Sequence, residues 1–161
     1  MSARTGIGYD SHRFEDGRRL MLGGVEIESD RGLAGHSDAD ALTHAIIDAL
    51  LGAAGLGDIG QHFPDTDEQW RDADSLDLLA QVCTFLEEHG WRVVHVDSTV
   101  ICQAPTLGPY RDEIRQTLAA NIWINRLEVN VKFTTNEGMG AIGRGEGVAV
   151  MAVATVERED R

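Results

Sequence analysis

Segments of strand periodicity and segments of helix periodicity alternate along this chain, which restricts it to a layered arrangement of helices on a sheet. Between residues 38 and 54, Ala41, Leu42, Ala45, Ile46, Ala49 and Leu50 recur at helical spacing, and Gly55 or Gly57 can end the helix. Ser37 with Asp40 resembles a capping box in which Asp replaces the usual Glu or Gln. A second helix is expected over residues 75–88, with Leu76, Leu79, Val82, Cys83 and Leu86 on one face and Gly90 near its end. Pro109 suits the first turn of a third helix carrying Arg111, Ile114, Arg115 and Leu118. Strands are expected at residues 5–9, 91–101, 127–134 and 148–156, and Gly23-Gly24 marks a tight hairpin between residues 19–22 and 25–28. The fold class predicted is α+β, a single-layer mixed β-sheet with helices packed on one face. Strand order is not legible at this level.

The chain has 161 residues and no linker or repeat, so residues 1–161 are expected to form one domain with a sizeable core. No apolar run is long enough to span a bilayer, and residues 1–5 lack the apolar stretch of a signal peptide. Cys83 and Cys102 have no metal-type or disulfide-framework spacing; both read as core residues of a cytoplasmic protein. The formal net charge is −13 and Lys132 is the only lysine. Such a field disfavours nucleic acid and acidic membrane surfaces as partners. An anionic small-molecule substrate would need local cations, supplied by a metal or by placed arginines.

Two short segments carry metal-ligand side chains. Asp10-Ser11-His12 lies at a strand end, where residues two apart point the same way. His36-Ser37-Asp38 leads into the first helix, on which Asp40, His44 and Asp48 share a face. Two imidazoles and a carboxylate suit zinc with a fourth position left open. Asp40 or Asp48 is expected to orient the His44 ring as a hydrogen-bond acceptor. Strand and helix side chains at these spacings are equally compatible with a surface turn and no metal. His62 reads as a loop residue, and His89 and His95 receive no role.

Three further segments have the composition of binding loops. Asp58-Ile59-Gly60, followed by Phe63-Pro64-Asp65-Thr66-Asp67, offers carboxylates either to substrate hydroxyls or to helix caps and turns. Cys102-Gln103-Ala104-Pro105-Thr106-Leu107-Gly108 leaves a strand through a rigid turn that can read a flat ring or merely connect two elements. Thr134-Thr135-Asn136-Glu137 precedes the glycine-rich run from Gly138 to Gly147, which contains Ala141 and Arg144. Hydroxyls, glycine amides and a guanidinium fit phosphate oxygens, and Glu137 fits a magnesium-type cation. The run is not a P-loop, since GxxxxGK[ST] is absent.

In order and spacing these segments resemble the 2-C-methyl-D-erythritol 2,4-cyclodiphosphate synthase family. The match rests on Gly8-Tyr9-Asp10-Ser11-His12, His36 to His44, Leu50-Leu51-Gly52-Ala53, Gly57 to Gly60, Phe63 to Asp67, Gln103-Ala104-Pro105 and Gly143-Arg144-Gly145-Glu146-Gly147. The resemblance implies a homotrimer with active sites between subunits. It implies cyclisation of 4-diphosphocytidyl-2-C-methyl-D-erythritol 2-phosphate with release of CMP, as a lyase of non-mevalonate isoprenoid biosynthesis.

By position, the resemblance makes Asp10, His12 and His44 zinc ligands and Glu137 the ligand of a second divalent ion, Mg2+ or Mn2+. His36 and Thr135 become catalytic residues. Asp10, His12, His36, Ser37, Asp58, Ile59, Gly60, Phe63, Pro64, Asp65, Thr66 and Asp67 fall on the erythritol-phosphate side of the substrate. Cys102, Gln103, Ala104, Pro105, Thr106, Leu107, Gly108, Thr134, Thr135, Asn136 and Glu137 fall on the cytidine diphosphate side, with Ala141 and Arg144 near the phosphates and the trimer axis. The chain departs from the family at Ala141, where an aromatic step is frequent, at Thr106, where lysine is frequent, and at Met151, acidic in some members. Two other readings use similar residues. A metal-dependent phosphohydrolase would yield hydrolysis products, and a non-catalytic zinc or nucleotide-binding module would lack a ligand or catalytic residue.

Overall fold

The computed structural model describes residues 2–158. Twelve elements follow one another: β1 (Ala3–Asp16), β2 (Leu20–Leu22), β3 (Val25–Ile27), β4 (Arg31–Leu33), α1 (Ala41–Ala54), α2 (Ile59–His62), α3 (Ser75–Glu88), β5 (Trp91–Ile101), α4 (Arg111–Ile122), β6 (Val129–Thr134), α5 (Gly140–Gly143) and β7 (Gly147–Arg158). Five strands form one sheet in the order β4-β1-β7-β5-β6, while β2 and β3 pair in a separate hairpin. Only β5 and β6 run parallel; the other pairings are antiparallel. The sheet is therefore mixed, as expected, and the core lies between it and the helices.

Several boundaries differ from those expected from the sequence. The first strand is much longer than residues 5–9, because eleven of its residues pair with β7 from Ala3–Glu157 to Arg13–Gly147. Strand β4 carries too short an apolar pattern to be read. Residues 126–128 form a 3-10 turn before β6, and Pro109 lies in another before α4. The helix α1 begins at Ala41, and Asp40, not Ser37, is its N-cap. Asp40 is fully buried and accepts from the amides of Gly23, Gly24 and Thr43 and from the Thr43 hydroxyl. One carboxylate thus caps the helix and ties the β2–β3 turn to it, leaving no oxygen for His44.

The contact that fixes the site is the seat of α1 on β1. Alternate residues Gly6 and Gly8 of β1 face the helix, beneath Ala45, Ala49 and Ala53. A Cβ on Gly8 would lie 1.8 Å from the Ala45 carbonyl oxygen, and one on Gly6 would lie 2.2 Å from that of Ala49. Small residues on both sides therefore let helix and strand backbones touch. Asp10 and His12 continue the same alternation, one and two steps beyond Gly8.

Gly8→Ala is expected to cost about 1–3 kcal/mol or more, since it presses on backbone that cannot rotate away. Gly52 of α1 makes the opposite case: a Cβ there meets nothing nearer than the Ile7 carbonyl oxygen at 3.8 Å. Gly52→Ala should stabilise by up to about 1 kcal/mol through helix propensity. Denaturant melts of the two variants check both signs.

Candidate metal centre and active site

Asp10 and His12 reach the site from β1 and His44 reaches it from the first turns of α1. One donor atom from each of the three lies within 4.8 Å of the other two. Asp10 Oδ2 is 2.8 Å from His12 Nε2 and 3.2 Å from His44 Nδ1. The far nitrogen of each ring is already engaged. His12 Nδ1–H donates to the Ala34 carbonyl at 2.7 Å, and His44 Nε2 meets the hydroxyls of Ser75 at 2.8 Å and Ser37 at 3.2 Å. Carboxylate oxygen, Nε2 and Nδ1 thus converge on one point from half-buried side chains, a donor set suited to zinc.

Burial alone would push the Asp10 carboxyl up, but hydrogen bonds and charge from His12 and His44 prevail and bring it down to about 2. Burial also opposes the His12 imidazolium, yet the Asp10 hydrogen bond and charge raise its pKa above 6.5. Without metal and below the raised His12 value, the pair is a carboxylate facing an imidazolium, so a proton holds the place of a cation.

Arg18 bridges the carbonyls of Gly35 and Ser37 at 3.0 and 2.9 Å, holding the His36 loop over the triad. Ala39 in this loop adopts φ 56°, a conformation that costs a non-glycine residue energy and lets Asp40 turn inward. Asp48, expected to face His44, instead accepts from the Ile59 amide at 2.8 Å and docks α2 against α1. Both anticipated acceptors for His44 are therefore occupied elsewhere; Ser75 and Ser37 take that place.

A cavity of about 400 Å³ opens beside the triad, lined by His36, Ser37, Ile59, Gly60, Phe63, Pro64 and Asp65 among the residues expected there. Gly35, Trp70 and Leu78 also line it and were not legible from the sequence. Trp70 packs edge-to-face on Phe63 with ring centroids 5.0 Å apart. Asp58 and Asp67 act as helix caps, accepting from the amides of Gln61 and Gln69, and Thr66 is exposed outside the cavity lining. His62 Nε2–H donates to the Leu56 carbonyl and is no ligand.

The remaining predicted residues form a second cluster. The Cys102 amide donates to the Thr134 carbonyl at 2.9 Å, and Gln103 Oε1 accepts from the amides of Asn136 and Gly138. These bonds join the run from Cys102 through Ala104, Pro105, Thr106 and Leu107 to Gly108 with the Thr134–Glu137 turn. Glu137 is exposed at φ 53°, its amide donating to Thr135 Oγ1 at 3.2 Å. The Cys102 thiol is pushed up to about 11 by burial, against a nucleophilic role. Ala141 and Arg144 line a third hollow with Arg13 and Arg31, and Arg144 Nε pairs with Glu146 at 2.7 Å.

The metal triad and the Thr134–Glu137 turn do not meet within the chain. Strands β7 and β5 separate β1 from β6, so the clusters lie about 14 Å apart across three strand spacings.

Comparison with known proteins decides what kind of molecule carries this geometry: residues 3–157 match the model of the YgbB family. The chain belongs to the YgbB family. The 2-C-methyl-D-erythritol 2,4-cyclodiphosphate synthase of Syntrophomonas wolfei is 56% identical over 96% of this chain and 99% of its own length. That of Salinibacter ruber is 53% identical over 96% of this chain and 98% of its own. A solved synthase in its CDP-bound form superposes with a TM-score of 0.88 at 38% identity, covering 96% of this chain and 100% of that one. The bifunctional IspDF of Campylobacter jejuni gives a TM-score of 0.95 at 40% identity; the match covers 99% of this chain but only 43% of that longer one. The chain is thus an enzyme of the 2-C-methyl-D-erythritol 2,4-cyclodiphosphate synthase class, in the isoprenoid pathway, with a metal-binding triad.

Metal binding has to expel the His12 proton. The stabilisation of the metal-free chain by His12 is fully present below pH 6.5 and is lost as pH rises through its raised folded value. That by Asp10 is present above 3.8 and is lost as pH falls toward 2. Metal affinity should therefore increase with pH up to the raised His12 value and level off above it, with protons released on binding below that value. Chelator-competition titrations across that range, in buffers of different ionisation enthalpy, measure both.

Proposed function

We propose that the enzyme converts 4-diphosphocytidyl-2-C-methyl-D-erythritol 2-phosphate to the cyclic diphosphate and CMP at a site completed by a second copy of the chain. The observation that carries this reading is the convergence of Asp10, His12 and His44 beside a cavity, with phosphate- and ring-binding segments held together elsewhere on the sheet. In the reaction an oxygen of the 2-phosphate forms a bond to the β-phosphorus. The bond from that phosphorus to the CMP oxygen breaks, and CMP leaves with the electron pair. No protein nucleophile is required, so catalysis is orientation and charge neutralisation.

Asp10, His12 and His44 hold zinc, and Glu137 holds a second divalent cation, Mg2+ or Mn2+. When bound, these ions supply Lewis-acid neutralisation of phosphate charge, which the −13 chain itself cannot provide. His36 and Thr135 position the diphosphate. The Phe63–Trp70 wall, with Ile59, Gly60, Pro64 and Asp65, encloses the erythritol end and keeps water from the β-phosphorus. Asp58 and Asp67 contribute by fixing that loop, and their capped carboxylates still retain lone pairs for sugar hydroxyls. The run from Cys102 to Gly108 with Thr134 to Glu137 receives the cytidine diphosphate end, Gln103 holding the two loops together.

Assembly follows from the geometry of the halves. A span of about 14 Å is too great for one reacting phosphate pair, whereas apposed copies can place the triad of one against the Glu137 turn of the next. Ile7 and Val153 pair in one row and Tyr9 and Met151 in the next, all exposed on the sheet face away from the helices. A contiguous exposed apolar stripe of this kind suits burial by other copies, in a homotrimer. The whole described chain acts as one domain, and the reaction takes place in the cytoplasm.

Phosphorus NMR of the purified protein with zinc, magnesium and the diphosphocytidyl substrate should show the cyclic diphosphate and CMP in equal amounts. Chelation and the variants His44→Ala and Glu137→Gln should each lower turnover by at least about 100-fold. Open-chain phosphate products would make the protein a phosphohydrolase. Absence of any turnover by the metal-loaded protein would leave a binding module.

A further inference from the structure

The Ser75 hydroxyl, at the first position of α3, is completely buried and sits between two functional groups. On one side it donates to Asp38 Oδ1; on the other it lies 2.8 Å from His44 Nε2. Asp38 receives three donors in all. Its Oδ1 also accepts the Asp40 amide at 3.1 Å, and its Oδ2 accepts the Ser75 amide at 2.9 Å. Three donors converging on two oxygens require a carboxylate acting only as acceptor.

We infer that Asp38 and Ser75 are positioning residues that fix the tautomer of His44 and so aim its Nδ1 lone pair at the metal. A serine hydroxyl has one proton, and here it is committed to Asp38. Toward His44 it presents lone pairs only, so Nε2 must carry the hydrogen and donate. A doubly protonated ring also donates Nδ1–H to Asp10 Oδ2 at 3.2 Å, whereas a ring with a single N–H keeps it at Nε2 and frees Nδ1 for a metal. Ser37 Oγ, which accepts the Ala39 amide, lies 3.2 Å from the same Nε2.

This inference rests on the reading of Asp10, His12 and His44 as a metal centre but makes a claim that can fail independently of it. The polarity of the relay runs from His44 through Ser75 to Asp38, three elements that meet only in the fold. Asp38 stands just before α1, and Ser75 stands 37 residues later. The relay therefore couples the seating of α3 to the direction of a ligand on α1.

The test is nitrogen-15 NMR of the metal-free protein, followed upward in pH until the His44 ring carries a single proton. His44 should appear as the Nε2–H tautomer. Ser75→Ala should mix the two tautomers and lower zinc affinity by about 10–100-fold in chelator competition, while circular dichroism stays that of the parent. Asp38→Asn, which offers an amide donor where only acceptors fit, should shift His44 toward Nδ1–H. An Nδ1–H tautomer in the parent protein overturns the inference, as does a Ser75→Ala variant with parental zinc affinity. If the parent binds no zinc at all, the metal-centre reading itself fails, which the NMR result distinguishes.

Discussion

Everything at the site depends on how closely α1 lies on β1. Gly6 and Gly8 have no Cβ, and the helix presents Ala45, Ala49 and Ala53 to them, so backbone meets backbone. One imidazole on the strand, His12, and one on the helix, His44, then fall within hydrogen-bonding distance of Asp10 Oδ2. A larger residue at either glycine would push the helix away. The convergence of the triad is a consequence of packing before it is a consequence of ligand chemistry.

The acidic residues around α1 divide the remaining work. Asp40 joins the helix start to the β2–β3 turn, Asp48 docks the Ile59 loop, Asp38 orders Ser75 and Asp10 faces the two histidines. Only Asp10 is left pointing at its ring partners with no backbone donor attached. Similar side chains packed around one helix thus differ in function because the backbone amides of different elements reach three of them and not the fourth. The excess of acid in the chain is in this way partly structural, and the anionic substrate of the enzyme class is left to be neutralised locally.

Periodicity made the long elements legible: α1, α3, β5 and β7 lie close to where their apolar patterns put them. The convergence of Asp10, His12 and His44 was legible too, since alternation on a strand and one helix face are local statements, although the expected strand end lies in the middle of β1. What was not legible depends on tertiary partners. Asp40 and Asp48 share the His44 face by helical spacing, yet amides from distant turns claim both. Ser75 and Trp70 carry no local signal for the site, because each reaches it through the packing of α3 and its preceding loop. The aspartates of the loop, which local chemistry left undecided between caps and substrate contacts, are caps at positions 58 and 67.

The proposed reaction asks the triad and the Glu137 turn to act together, and the order of strands keeps them apart within one chain. The decisive measurement mixes two inactive variants, His44→Ala and Glu137→Ala, by co-expression and assays CMP release. In the proposed homotrimer, random mixing brings an intact triad against an intact Glu137 turn at about a quarter of the interfaces. Co-expression should recover about that fraction of parental activity. Activity no greater than that of the separate variants would contradict a site shared between copies.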